Sequence, residues 1–412
     1  MNTIFRFACC LVAAGIGCAS VWAQATSTPS GSGPAPGLAA AIDAAWQRAV
    51  ATREALGQQQ RAEADRTAAS SLWAAPPTLE LNHRNDRWQT DAGRRETEIG
   101  LAWPLWLPGQ RNARGAVAES GLSLAEQALR VVRLRVAGEV RESAWALFAE
   151  QAEVAQAEAL VRSLSGLADD VDRRVKAGDL ARADALAARS ELLGASARLT
   201  EARHKAQLAH SRWTLLTGLA APVSADEAPI VAVHAITEHP EYRLAAGAAE
   251  HARRRAALAR TSRSDPPEVI LGVRQDTPGR IEAAQNSLSI GIRLPFGTAD
   301  RNRPLQAAAL AELDVAETVE QRMRDRLEAE AATARAALQA GEQQLQAEHS
   351  RANLLRERST LIDKSFRAGE SGLPELLRAM AAAAQAEAAL ARQQAALGLA
   401  RARLHQSLGL LP

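Results

Sequence analysis

The chain has 412 residues, with 49 Lys or Arg against 47 Asp or Glu, and its net charge is only +2. No basic stretch carries interleaved aromatics, which argues against nucleic acid as a partner. Composition is 47% hydrophobic but 3% aromatic, and long tracts of Ala, Leu, Glu, Arg and Gln favour long helices or coiled coil over a thick mixed core.

The N-terminus reads as a secretory signal peptide at 1–23. Arg6 supplies its charge, Phe7 to Ile16 an apolar run, and Val21-Trp22-Ala23 a cleavage site. All three cysteines (Cys9, Cys10, Cys18) lie in this leader, so the mature chain is expected to carry no disulfide and no thiolate metal site. Cys18 follows Gly15-Ile16-Gly17, a weak lipoprotein-processing box, and is a candidate for lipidation. Beyond the leader no apolar run approaches the ~18 residues of a membrane helix. An exported chain of this kind is soluble or enters a membrane as a β-barrel.

Residues 24–37 are a Ser/Pro/Gly linker whose Gly31-Ser32-Gly33 has no preceding strand and is no phosphate loop. Leu38 to Leu72 reads as one amphipathic helix, with Leu38, Ile42, Trp46 and Ala49 on one face, ended by Pro76-Pro77. Leu79 and Leu81, then Ile99, Leu101, Trp103 and Leu105, alternate as a β-hairpin with one apolar face. A long wet loop from Asn82 to Glu96 joins them. From about Arg114 to Ala177 there is no proline, and Val140, Leu147, Val154 and Val161 keep a coiled-coil step. At 1.5 Å per residue this makes a rod of roughly 90 Å, with kinks expected at Gly121, Gly138 and Gly166. Gly178 turns the chain into a second helix from about Arg182 to Leu216, and a connector follows at 221–238.

The pattern then repeats. A helix from about Pro240 to Ser262 stops at Pro266-Pro267. Val269, Leu271 and Val273 alternate, then Leu288, Ile290, Ile292 and Leu294. A second rod runs from Leu305 to Arg367 and returns to Leu408 after Gly369. Gly178 and Gly369 stand 191 residues apart, and each is followed forty residues later by another glycine, Gly218 and Gly409. Arg212 and Arg403 precede those second glycines by six. These spacings mark a tandem duplication: repeat 1 at 38–220 and repeat 2 at 239–412, each a helix, a hairpin (about 78–105 and 268–295) and a helical hairpin (about 114–217 and 305–408).

Rods this long need neighbours along their whole length. Four strands cannot close a barrel, and open edges are forbidden in lipid. Copies must join: two chains give eight strands and three give twelve. An exported oligomer with a lipid-facing barrel and long rods suits a duct through the outer membrane and periplasm.

The duplicated order, the turn motifs Val175-Lys-Ala-Gly-Asp-Leu180 and Phe366-Arg-Ala-Gly-Glu-Ser-Gly-Leu-Pro-Glu-Leu-Leu377, and the later glycines resemble the TolC family of outer-membrane efflux proteins. Trp103-Pro-Leu-Trp-Leu-Pro-Gly-Gln-Arg111 and Leu294-Pro-Phe296 with Asp300-Arg-Asn302 resemble its CzcC-like heavy-metal branch. The resemblance implies a mainly α fold with a small membrane β-barrel, assembled as a homotrimeric tunnel with twelve strands. It further implies work with a periplasmic adaptor (membrane fusion) protein and an inner-membrane pump of the resistance-nodulation-division (RND) type. In that family the helix turns form the periplasmic tip, where the adaptor docks and an acidic iris narrows the pore. By position, Asp184 and Glu375 are the candidate constriction acids. Lys176, Gly178, Asp179, Arg367, Gly369 and Glu370 are the candidate docking residues. Ser371 and Arg378 depart from the family pattern of gate-locking residues. The bland reading makes the glycines ordinary C-caps and the acids solvated helix-start residues.

Trp73, Trp88, Trp103 and Trp106 surround the first hairpin as candidate membrane-interface aromatics, or as packing where barrel meets rod. The second hairpin offers only Phe296. The eight histidines are scattered, and His204 and His210 are six apart, so no metal site and no cofactor is expected. No nucleophile elbow, HExxH or catalytic cysteine marks an enzyme. The expected function is the outer-membrane duct of a tripartite efflux system exporting small solutes, heavy-metal cations by the branch resemblance. The alternatives are a TolC-type duct for type I protein secretion or general multidrug efflux, and a periplasmic coiled-coil scaffold.

Overall fold

The computed structural model describes residues 37–225, 227, 229–230, 235–262, 264–296 and 299–412. The expected signal peptide, Cys18 and nearly all of the linker lie outside the described residues.

The helical stretch before the first hairpin is two helices, α1 (Leu38–Arg48) and α2 (Val50–Ala69), where the sequence suggests one. Ala49 takes an extended conformation with ψ 130°, although no proline or glycine sits there. The reason is tertiary. α1 packs Leu38, Ala41, Ile42 and Ala45 between two rods, whereas α2 lies along one of them, and the break lets each present its own face.

β1 (Thr78–Asn85) and β2 (Arg95–Pro104) form the first hairpin. Its loop, 86–94, is shorter than the polar stretch Asn82 to Glu96, because polar residues at both ends continue the ladder as far as Asn85 opposite Arg95. The first rod, α3 (Gln110–Ala177), has 68 residues and is about 100 Å long at 1.5 Å per residue. It runs as α-helix without interruption through Gly121, Gly138 and Gly166. The helix α4 (Arg182–Thr217) returns beside it. After a 3-10 turn (Ile236–Glu238) come α5 (Pro240–Thr261), β3 (Glu268–Thr277) and β4 (Gln285–Arg293), then α6 (Ala299–Arg367) and α7 (Leu373–Ser407). α6 starts before the expected Leu305 and carries Pro304 in its opening turns. A proline so near a helix start removes one backbone bond and does not stop the helix.

The rods lie in the order α4–α3–α7–α6, with α5 against α3 and α6 and with α2 against α3. The seams between them are rich in alanine: Ala137 and Ala144 on α3, Ala188 and Ala195 on α4, and Ala379, Ala386 and Ala395 on α7 are buried. Small side chains bring backbones close, so long helices pack without a thick core. On the α3 heptad Val140 and Leu147 are fully buried and Val154 and Val161 half-buried, and Ala168 and Val171 continue the seam to its far end. Gly398 on α7 is where α3 approaches through Trp145, whose ring occupies the space a Cβ would take.

Candidate functional site

Alternation fixes the faces of the sheet. The strands form one antiparallel sheet in the order β1-β2-β3-β4, leaving β1 and β4 as edges. Register aligns Leu81, Ile99, Val273 and Leu288 in one row and Leu79, Leu101, Leu271 and Ile290 in the next. Trp103, Val269 and Ile292 form a third row on the same face. Most of these side chains are bare, with Leu79 72% exposed, Leu288 67% and Ile290 74%, while Leu101, Trp103 and Val269 are half-buried. The opposite face carries Glu80, Asn82, Glu96, Glu98, Arg274, Asp276 and the small Gly100, Gly272 and Ser289. On it Arg274 bridges Glu96 at 2.9 Å. An apolar face of this extent, opposite a polar one, fits lipid on one side and water on the other. Strands of eight to ten residues have about the length that spans a hydrocarbon core.

Apart from Phe148 on α3, the large exposed apolar residues of the four rods, among the described residues, fall on the two outer helices. Leu186, Leu193, Leu208 and Leu215 run along α4, and Leu354 and Leu361 stand on α6, all largely exposed. Among the described residues, the outer helices and the outer strands thus each present a side without a partner.

The four tryptophans divide between the two ends of the sheet. Trp73 and Trp103 lie 6.5 Å apart, and Trp106 donates from Nε1 to the Ser71 carbonyl at 3.2 Å beneath the Arg114 guanidinium. These three stand where strand meets rod. Trp88, 93% exposed, is in the 86–94 loop at the opposite end, and Phe296, 92% exposed, follows β4 on the rod side.

At the far end of the rods the two turns are built alike. Gly178 (φ 90°) and Gly369 (φ 81°) take the left-handed conformation that glycine alone adopts cheaply. The Asp179 N–H donates back to the Arg174 carbonyl at 2.9 Å and the Glu370 N–H to the Ser365 carbonyl at 3.0 Å, closing both helix ends. Val171, Ala185, Phe366, Leu373 and Leu376 bury between the hairpins, and the Arg174 guanidinium lies 5.1 Å over the Phe366 ring. The tips therefore stand side by side. Asp184 Oδ2 accepts from the Ala181 N–H at 3.2 Å, a capping role for α4. Glu375 is exposed in the first turn of α7, and its carboxylate makes no ion pair or hydrogen bond with any described residue. Lys176, Asp179 and Glu370 are likewise exposed, while Arg367 pairs with Asp363 at 3.0 Å. Ser371 Oγ reaches only the Ile362 carbonyl at 3.4 Å, and Arg378 Nε donates to the Pro374 carbonyl at 3.1 Å.

Sequence reasoning missed a buried polar network where the connector crosses the rods. Arg141 of α3, 2% exposed, donates to both oxygens of Glu227 at 2.8 and 2.6 Å. Its remaining donors reach Gln406 Oε1 at 2.7 Å and the Leu410 carbonyl at 2.9 Å. His405 Nδ1 stands 3.3 Å from Glu227, and burial beside Arg141 lowers its pKa against the pull of that carboxylate. The only sequence signal was an arginine directly after a core valine.

Among the described residues no group of His, Cys, Asp and Glu could hold a metal ion, and no helix is long and apolar enough to cross a membrane. No family model and no curated protein sequence matches the chain. Solved structures do match. VceC, an outer membrane protein of Vibrio cholerae, aligns with a TM-score of 0.72 over 90% of this chain and 96% of its own, at 16% identity. CusC, whose structures concern folding and transmembrane channel formation, gives 0.75 over 91% and 92% at 16% identity. The open-state MtrE outer membrane channel of Neisseria gonorrhoeae gives 0.70 over 92% and 90% at 17% identity. Long paired helices joined to a small antiparallel sheet of four strands give this chain the fold of outer-membrane channels.

Proposed function

We propose that the protein is the outer-membrane duct of a tripartite efflux system, a homotrimer of the TolC family and not an enzyme. The observation that carries this reading is the sheet: one bare apolar face, one polar face, and two unpaired edges. A sheet with open edges is not tolerated in lipid, so β1 of one copy pairs with β4 of the next. The stripes on α4 and α6 call for the same neighbours in the helical part. Three copies give twelve strands and a helical tunnel reaching into the periplasm. The polar sheet face then lines water, as a solute conduit requires.

The tip meets a periplasmic adaptor through Lys176, Gly178, Asp179, Arg367, Gly369 and Glu370, and an inner-membrane RND pump supplies the driving force. Glu375, unpaired and exposed, is the better of the two constriction acids, because Asp184 is engaged in capping. Three such carboxylates around a narrow axis attract cations and close a pore sterically. On this basis Glu375→Ala raises single-channel conductance in a planar bilayer, whereas unchanged conductance would remove Glu375 from the constriction. The segments after the second and fourth strands favour heavy-metal cations as cargo, with the metal chosen by the pump. The deciding experiment is growth of a deletion strain across divalent metals, copper, silver, dyes and detergents. Sensitivity to metals alone supports the metal branch. Sensitivity to dyes and detergents supports general drug efflux, and recovery of the protein in the soluble periplasm would exclude a channel.

A further inference from the structure

The loop between β1 and β2 is ordered by its own acids, which leaves its bases unpaired. Asp86 Oδ2 accepts from the Ala92 N–H at 2.8 Å and from Thr90 Oγ1 at 3.1 Å. Asp91, held at φ 44°, takes the Arg280 guanidinium from the neighbouring hairpin at 2.6 Å. Both carboxylates are thereby engaged. Arg87, Arg94 and Arg95 remain exposed, and none of their guanidinium groups makes an ion pair or hydrogen bond with any described residue. Arg95 shares a strand face with Thr97, Ile99 and Leu101, the apolar side of the sheet. Along that face the apolar rows end at Leu81 and Ile99, and His83 bonded to Thr97 at 3.0 Å follows. Arg95 opposite Asn85 is the next row. Above them projects Trp88, 93% exposed.

From these contacts we infer that Arg87, Arg94 and Arg95, with Trp88, form a binding site for the phosphate groups of outer-leaflet lipid. The inference rests on the channel reading, which places this end of the sheet at the outer surface because the rods leave from the other end. Guanidinium forks match phosphate oxygens bidentately, and an unpaired guanidinium at the edge of an apolar band meets headgroups there. Trp88 suits the same level, with its ring in the interface and its N–H in water. Arg95 lies on the lipid side of the rim, so through it the site is continuous with the lipid-facing sheet.

The test uses the full-length protein and phosphatidylcholine vesicles with or without diphosphoryl lipid A. Binding is read by the emission shift lost in Trp88→Phe, and insertion by protease protection. The expected result is tighter association with the phosphorylated lipid. It should weaken by about tenfold or more in Arg87→Ala/Arg94→Ala/Arg95→Ala and stay within about threefold of the parent in the triple lysine variant. Dephosphorylated lipid A should show no preference, and inorganic phosphate should not compete. Equal binding by the alanine variant, equal binding of the dephosphorylated lipid, or competition by inorganic phosphate would each overturn the proposal. The channel reading stands in those three cases as long as the protein inserts. Failure to insert into either vesicle would remove both.

Discussion

Replacing Arg141 with methionine removes the permanent cation from Glu227 and leaves it only His405, whose pKa burial lowers. Both side chains are almost fully buried, at 2% and 5% exposure, and Glu227 loses two hydrogen bonds of 2.8 and 2.6 Å at once. Gln406 and the Leu410 carbonyl lose a donor as well. Removing one partner of a buried pair costs about 3–5 kcal/mol, because the other charge is stranded in a medium that solvates it poorly. With an unfolding entropy of ~2.1 cal/mol/K per residue over the folded length, about 4 kcal/mol corresponds to a fall of ~5 °C in the melting midpoint. Methionine fills most of the volume, so a cavity contributes little. Thermal unfolding of the purified protein, followed by circular dichroism, measures the shift, and limited proteolysis of the connector reports its release. The double variant Arg141→Met/Glu227→Gln should recover most of the loss, since no charge is left unpaired. A single variant that melts with the parent, or a double variant no better than the single, would refute the account of a charge held by its partner.

Three further outcomes follow from other parts of the molecule. Gly178→Ala and Gly369→Ala each force a Cβ onto φ near +90° and +81°, at a cost of about 1 kcal/mol per turn, and melting of each variant against Gly166→Ala in the helix interior checks it. If the protein is the proposed channel, Ile290→Arg on the bare sheet face should cost roughly 2–4 kcal/mol of membrane insertion, while Ser287→Lys on the polar face should be nearly silent; the folded fraction recovered in the membrane fraction measures both. Acid should destabilise the junction of connector and α5. His239 Nδ1 accepts from the Glu241 N–H at 3.1 Å, and burial holds its pKa below the ordinary 6.5 in spite of Glu241 and Glu330. The unfolded chain takes up the proton first, so stability is lost as pH falls below 6.5 toward the folded value. His239→Asn, which still caps the helix, should flatten that slope in pH-dependent melting.

Local rules carried much of this chain. The four glycines at 178, 218, 369 and 409 all adopt positive φ, as their place just past the ends of long helices implies. Alternation located the four strands because one face is apolar throughout, and a period of two survives whatever the strands later pair with. The break at Ala49 and the helical turns around Pro304 were not legible. The first obeys packing against α3 and α4, and the second a proline rule that depends on position within the helix. Asp184 illustrates the same limit at the tip: its place after the turn is visible in sequence, but its engagement with the Ala181 N–H is set by backbone geometry.

By itself, the sequence determined the element types, their order and the two turns, all of which depend on residues within a few positions of one another. Tertiary structure decided what those elements meet. It joined the two hairpins into one sheet through β2 and β3, placed the tryptophans at opposite ends of that sheet, and brought Arg141, Glu227, His405 and Gln406 together. Arg141 and Gln406 stand 265 residues apart, and no local propensity records a partner at that distance. Only the packing of the rods makes burying that charge affordable, by supplying Glu227 at the same depth.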